Sequence, residues 1–180
     1  RRGRRLRHLR GGGQVQQAAP DRCRDRRQRV RVRGVGGVHR HTPEIAQNLQ
    51  RMGGATNPTV SFTPLLVPMS RGGILATCTA PLKDPTTTAA QARAAYAEAF
   101  ADETYLNLLP EGVWPQTKAV QASNRVDVQV TVDPAVNRLI AVAAIDNLTK
   151  GTAGGGAIQS MNIALGMAEQ TGLPLYGVAP

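Results

Sequence analysis

The residues of this chain best suited to chemistry are His39 and His41, two positions apart on a glycine-softened approach (Gly36-Gly37-Val38-His39-Arg40-His41) and directly ahead of Thr42-Pro43-Glu44-Ile45. An imidazole with a carboxylate in reach can be held in one tautomer and kept basic enough to move a proton at neutral pH. The same spacing also suits a solvated loop or a capping arrangement, and the two readings stand side by side at this level. A metal cage is not expected, because two histidines are too few and no Cys, Asp or third His stands at ligand spacing around them. The cysteines, Cys23 among unpatterned arginines and Cys78 inside an apolar run, form no disulfide framework. A Cys78 buried in a strand would have a raised pKa and be inert.

The element that must position the imidazoles begins beside them. Thr42 offers an N-cap oxygen, Pro43 suits the first helical position and Glu44 favours the positive end of the helix dipole. Ile45, Leu49 and Met52 then recur at helical spacing before Gly53-Gly54. This predicts a helix of about three turns with one buried face.

Charge divides the chain. Residues 1–34 hold 13 Arg against Asp21 and Asp25, a balance of +11, while residues 35–180 balance at −1, within a total of +10. The leader has few apolar residues and no period, so disorder is expected over 1–34. It reads as a polyanion-binding arm, as an inert basic tail, or as residues out of frame in a GC-rich gene. No aromatic residue is interleaved with its arginines for base stacking, which makes nucleic acid the weaker partner. No apolar core follows the basic residues as in a secretory signal, and no run approaches the roughly 20 apolar residues of a membrane span. A cytoplasmic protein is expected.

From residue 35 the pattern predicts an α+β domain, an antiparallel or mixed sheet covered by helices. Strands are expected over 59–63, 73–80, 105–109, 126–133 and 138–145, and a helix over 88–100 whose Ala92, Tyr96 and Ala99 form a stripe. Val126, Val128, Val130 and Val132 alternate with Asp127, Gln129, Thr131 and Asp133, which predicts one buried and one solvated face. The turn Asp133-Pro134-Ala135-Val136-Asn137 closes a hairpin. Residues 35–148 form this domain, and 149–180 a glycine loop, a helix with Ile158, Met161, Leu165 and Ala168 on one face, and a tail. Glycines ahead of that helix let backbone N–H groups approach a ligand, although such loops also serve as plain hinges.

Val38-His39-Arg40-His41-Thr42-Pro43-Glu44-Ile45, Pro68-Met69-Ser70-Arg71-Gly72, Leu109-Pro110-Glu111-Gly112, Ser123-Asn124 and Asp146-Asn147-Leu148-Thr149-Lys150-Gly151-Thr152-Ala153-Gly154 with Gln159-Ser160-Met161-Asn162 together resemble N-acetyl-γ-glutamyl-phosphate reductase. The resemblance runs from about Gly37 to Pro180. It implies an NADP(H)-dependent, metal-free oxidoreductase of arginine biosynthesis, acting on a small acyl phosphate, homo-oligomeric, with a C-terminal domain like that of glyceraldehyde-3-phosphate dehydrogenase-type enzymes. It further implies that a cysteine attacks the acyl phosphate and that His39 activates the thiol and stabilises or protonates the developing oxygen. Glu44 would orient His39, His41 would line the substrate site, and Arg71 would meet a carboxylate or phosphate. Asn147, Gly151 and Gly154 would lie near the nicotinamide. The sequence departs from the family in lacking its glycine-rich nucleotide motif and its Gly-Cys-Tyr-Pro nucleophile, and Gly72-Gly73 and Gly154-Gly155-Gly156 look one residue long. The chain therefore reads as a truncated reductase, expected to be inactive alone, with a docking face on the last helix left bare. An arginine-arm nucleic-acid binder and an inactive fragment are the alternatives.

Overall fold

The computed structural model describes residues 30–53, 56–68, 72–151 and 154–177. Arg71, Cys23 and residues 1–29, where most of the disordered leader was expected, lie outside them. The chain divides into two compact units, Arg1–Pro68 and Met69–Pro180.

In the first unit, Arg31–Val32 (β1) pairs antiparallel with Leu65–Leu66 (β2), and Arg33 N–H donates to the Pro64 carbonyl at 3.1 Å. The end of the expected disordered leader is thus ordered. Ladder pairing uses main-chain groups and needs no apolar side chains, so composition could not reveal it. The stretch expected as a strand over 59–63 has no regular secondary structure, although its burial still alternates, with Val60 and Phe62 half-buried between exposed neighbours. No described strand pairs with it, so it forms no ladder.

Helix α1 (His41–Gly53) starts one residue before Thr42, which puts Pro43 and Glu44 in the first turn. Thr42 N–H donates to the His39 carbonyl at 2.9 Å, so the helix grows directly out of the His39 turn. Its expected buried face is not formed. Ile45 is half-buried, whereas Leu49 and Met52 are exposed. Amphipathic spacing states which side of a helix can be covered and says nothing of what covers it.

The second unit contains β3 (Gly73–Pro81), α2 (Ala89–Ala99), β4 (Leu106–Leu108), β5 (Val126–Asp133), β6 (Arg138–Asp146) and α3 (Gly156–Ala164). Its sheet runs β3-β6-β5-β4, antiparallel except for the parallel β4–β5 pair, which makes it a mixed sheet in an α+β fold. The β5–β6 hairpin closes as expected. Asn137 takes φ 51°, a conformation Asn tolerates, and Asp133 accepts the Ala135 N–H at 3.0 Å. Helix α2 opens with a full capping box between Thr88 and Gln91 and packs on β5, burying Ala92.

The core gathers Tyr105, Val120, Val128, Val130, Ala144 and Leu173. The row of β5 expected to face solvent is buried as well, with Asp127 and Gln129 at 1% and 2% exposure. Gln129 donates to the Pro110 and Val113 carbonyls at 2.7 and 2.8 Å and accepts from Arg93, so the loop after β4 closes over it. Asp127 accepts from Asn107 at 2.9 Å and pairs with Arg125. Buried polar groups persist where each has a partner, and these have theirs. The expected burial of Cys78 fails for a topological reason. Strand β3 is the sheet edge, and Cys78 is exposed.

Helix α3 likewise buries Asn162, which donates to the Glu169 and Thr171 carbonyls at 2.9 Å each, and leaves its large apolar residues outside. Met161, Ile163, Leu165 and Met167 are 45 to 67% exposed. Exposed apolar side chains of this size favour association. Light scattering is expected to give an average mass that rises with concentration above 19.1 kDa, and the double substitution Ile163→Lys with Leu165→Lys is expected to lower it. A mass unaffected by the two lysines would contradict this.

Candidate functional site

In the first unit, three side chains meet at the helix start. His39 is half-buried with its ring edge-on to both His41 and Phe62, at centroid distances of 4.9 Å and interplanar angles of 73°. Its Nδ1 accepts the His41 backbone N–H at 3.2 Å. On the remaining side lies Gly34, at φ +60°, where an added Cβ would stand 2.8 Å from His39 Cβ and Cδ2. A glycine is required there for both reasons. Glu44 is exposed in the first turn, and no hydrogen bond joins it to the imidazole. His41 is exposed beside His39, while Arg71 lies outside the described residues. Gly34 and Phe62 escaped the sequence reading. The alternation that turns Phe62 inward was legible, but nothing local says what it meets.

In the second unit, Asn147 and Gly151 lie in the turn directly after β6, and Gly154 lies ahead of α3, near the Leu148 carbonyl. Asp146, 5% exposed, anchors it: its carboxylate accepts the Ala122 N–H at 2.7 Å and the Leu148 N–H at 2.8 Å. Asn147 N–H donates to Gly72, and Lys150 N–H returns to the Asp146 carbonyl, at 2.7 and 2.8 Å. The Asn147 carboxamide lies against Gly151, where a side chain would overlap it. At Gly154 the nearest described atom to an added Cβ is the Leu148 carbonyl oxygen, at 3.4 Å. Ser123 and Asn124 brace the turn from below. The Ser123 carbonyl accepts the Thr149 hydroxyl at 2.6 Å, and Asn124 N–H donates to Pro174 at 2.9 Å.

Lys150 points inward. Its ammonium lies 5.0 Å from the Tyr105 ring centroid and donates to Gln159, which donates in turn to Glu169. Burial lowers its pKa, against Glu169 and Glu103, which raise it. Burial raises the Tyr105 pKa, with Glu169 adding to it, and the Tyr96 pKa, with Cys78 adding to it. The unfolded value is 10.0, so the stabilisation from keeping these phenols neutral is present below pH 10 and is lost as pH rises through the higher folded values. Two of the three tyrosines should therefore ionise later in the folded chain than in urea, read by absorbance at 295 nm. Superposable titrations would contradict the burial. The Tyr105 hydroxyl is also buried with no hydrogen-bond partner. Tyr105→Phe is expected to be neutral or stabilising by up to about 1 kcal/mol, since it removes an unsatisfied group and keeps the ring. A loss above about 1 kcal/mol by urea unfolding would reveal a bond this geometry lacks.

A family profile described as "Semialdehyde dehydrogenase, dimerisation domain" matches residues 9–147. The chain belongs to that family. Its mixed-sheet α+β fold is that of the C-terminal domain of glyceraldehyde-3-phosphate dehydrogenase-type enzymes. Similar proteins include the N-acetyl-gamma-glutamyl-phosphate reductases of Streptomyces clavuligerus, 64% identical over 146 residues, Thermobifida fusca, 60% over 151, and Saccharopolyspora erythraea, 58% over 149. These alignments cover 81 to 84% of this semialdehyde dehydrogenase-family chain and 42 to 43% of the relatives. The chain thus spans about two-fifths of the length of the curated relatives it matches. Among the described residues no helix is long and apolar enough to cross a membrane, and no cluster of His, Cys, Asp and Glu could hold a metal ion.

Proposed function

We propose that this chain supplies the catalytic-base and dimerisation part of an N-acetyl-γ-glutamyl-phosphate reductase, a cytoplasmic, homo-oligomeric enzyme of arginine biosynthesis. The observation that supports it above all is the 64% identity over 146 residues to a relative of that name. An alignment of that length in a chain of 180 residues takes in the His39 turn.

His39 handles the proton. Its ring is held at a helix start, with Nδ1 occupied by the His41 amide and Nε2 bonded to no described residue. An imidazole so fixed can serve a thiol and the oxygen of an acyl group under attack. His41 lines the substrate site beside it, and Glu44 sets the electrostatics of the first turn rather than touching the ring. Arg71 meets the phosphate or carboxylate of the substrate. Cys78 lies exposed on the edge strand β3, and the thiol comes from a segment other than those described.

The Asn147 turn fits a nicotinamide cofactor at one point. The backbone at Gly154 and the Asn147 carboxamide would hold it, while Gly151 is taken up by the packing of the turn itself. NADPH, when bound, supplies hydride. Lys150 and Asp146 keep the turn in shape.

Genetic complementation tests the proposal. A hybrid gene joining the nucleotide-binding half of the Streptomyces clavuligerus relative to residues 35–180 is expected to restore growth without arginine to a strain lacking the reductase. Failure of a hybrid that accumulates as folded protein would overturn it.

A further inference from the structure

The side chain of Lys150 leaves the Asn147 turn and ends on α3. Its main chain is fixed where Lys150 N–H donates to the Asp146 carbonyl at 2.8 Å, and its ammonium lies 5.0 Å from the centroid of the buried Tyr105 ring. There it donates to Gln159 Oε1, and Gln159 Nε2 donates to Glu169 Oε1. Glu169 is itself held by its main chain, since Asn162, 1% exposed, donates to the Glu169 and Thr171 carbonyls at 2.9 Å each. The order of the three groups follows from their chemistry. An ammonium only donates, a carboxylate only accepts, and a carboxamide does one at each end. Gln159 can therefore stand between the two charges and satisfy both. All three side chains are half-buried, and bonds with one charged partner are the stronger kind.

We propose that Lys150, Gln159 and Glu169 form a relay that fixes the Asn147 turn relative to the start of α3, and that all three are positioning residues for the cofactor, acting through that turn. The relay stands on the hydrogen bonds alone, and only the part concerning the cofactor rests on the reductase reading. Lys150 and Gln159 flank Gly151, Gly154, Gly155 and Gly156, residues whose main chain is the least restrained by its own sterics. A cross-link over such a stretch settles the spacing of its ends, and the bond from Lys150 to Gln159 spans nine positions. Gln159 is a firm anchor for it, because its N–H donates to the Gly155 carbonyl at 2.8 Å and closes the first turn of α3. A turn already in place when a ligand arrives has less freedom to lose on binding. The relay should therefore act on cofactor affinity more than on the chemical step.

An exchange of the two outer-chain groups tests it. Gln159→Glu keeps an acceptor for Lys150 but offers Glu169 no donor and sets a like charge against it. Combining Gln159→Glu with Glu169→Gln rebuilds both bonds with the carboxylate in the middle. In the 15N-labelled chain, Gln159→Glu is expected to speed amide hydrogen exchange at Gln159 and Ser160 about tenfold, the restraint of roughly one hydrogen bond. The double variant should return to near the wild-type rate, as should Glu169→Gln alone, which still accepts from Gln159. Circular dichroism establishes that each variant remains folded, and Lys150→Met breaks the relay by a second route should Gln159→Glu fail to fold. In the hybrid reductase, Gln159→Glu is expected to raise KM for NADPH about tenfold with little change in kcat, and the double variant to restore it. Wild-type exchange in a folded Gln159→Glu chain, or a double variant that exchanges as fast as the single one, overturns the relay. The expected exchange pattern with an unmoved KM overturns the positioning role. A wild-type hybrid that oxidises no NADPH removes the reductase reading, and the cofactor role with it, while the exchange result stands.

Discussion

His39→Asn, introduced into the hybrid reductase, is expected to lower kcat by about 10²- to 10⁴-fold, the range over which a positioned acid or base contributes. The substitution is chosen to separate chemistry from folding. His39 is half-buried at the edge of the helix start, and its Nδ1 receives one bond from the His41 amide. The carboxamide oxygen of Asn can take that N–H, so the helix start keeps its partner while the ring nitrogen facing the site disappears. KM for the acyl phosphate should change much less than kcat, because the loss concerns an interaction made in the transition state. Equal and parallel changes in KM alone would instead make His39 a binding residue. A hybrid with His39→Asn and full kcat would remove the imidazole from the reaction.

Gly155→Ala carries the largest expected cost in stability. The residue caps α3, and a Cβ there would overlap the Thr149 carbonyl and the Asn124 carboxamide oxygen. Neither can move cheaply. Thr149 is fixed by its N–H and hydroxyl bonds around Asp146 and Ser123, and Asn124 is 1% exposed and tied to Pro174. Overpacking against such a frame costs about 1–3 kcal/mol and at times more. A loss of about 3 kcal/mol would correspond to a fall in Tm of roughly 6–12 °C for a chain of this size. Gly154→Ala is the matched comparison, since the nearest described atom to its Cβ would be the Leu148 carbonyl oxygen at 3.4 Å, an ordinary contact. Its melting temperature should stay close to that of the wild type, within the roughly 0.5 kcal/mol usual for substitutions away from such features. Equal melting temperatures for the two variants would contradict the packing described around Gly155.

What could be seen in the sequence and what could not follow from how local each cause is. The β5–β6 hairpin and the span of α2 rest on alternation, turn residues and apolar spacing within a few positions. The burial of Asp127 and Gln129 does not. It depends on Asn107 of β4, on Arg93 of α2 and on the carbonyls of Pro110 and Val113 in the loop after β4, partners 16 to 36 residues away along the chain. The exposure of Cys78 likewise depends on β3 falling at the sheet edge. At the candidate site, the residue types of His39, His41 and Asn147 were informative by themselves. Their immediate partners were not, because Gly34 and Phe62 reach His39 from opposite directions along the chain and Asp146 reads as the end of an apolar strand.

The reductase reading is tested most directly by purified hybrid enzyme mixed with NADPH and N-acetyl-γ-glutamyl phosphate, with oxidation of the cofactor followed at 340 nm. Substrate-dependent oxidation is expected, at a rate comparable with that of the intact Streptomyces clavuligerus relative. A folded hybrid that leaves the absorbance unchanged, while the intact relative turns over in the same cuvette, would contradict it.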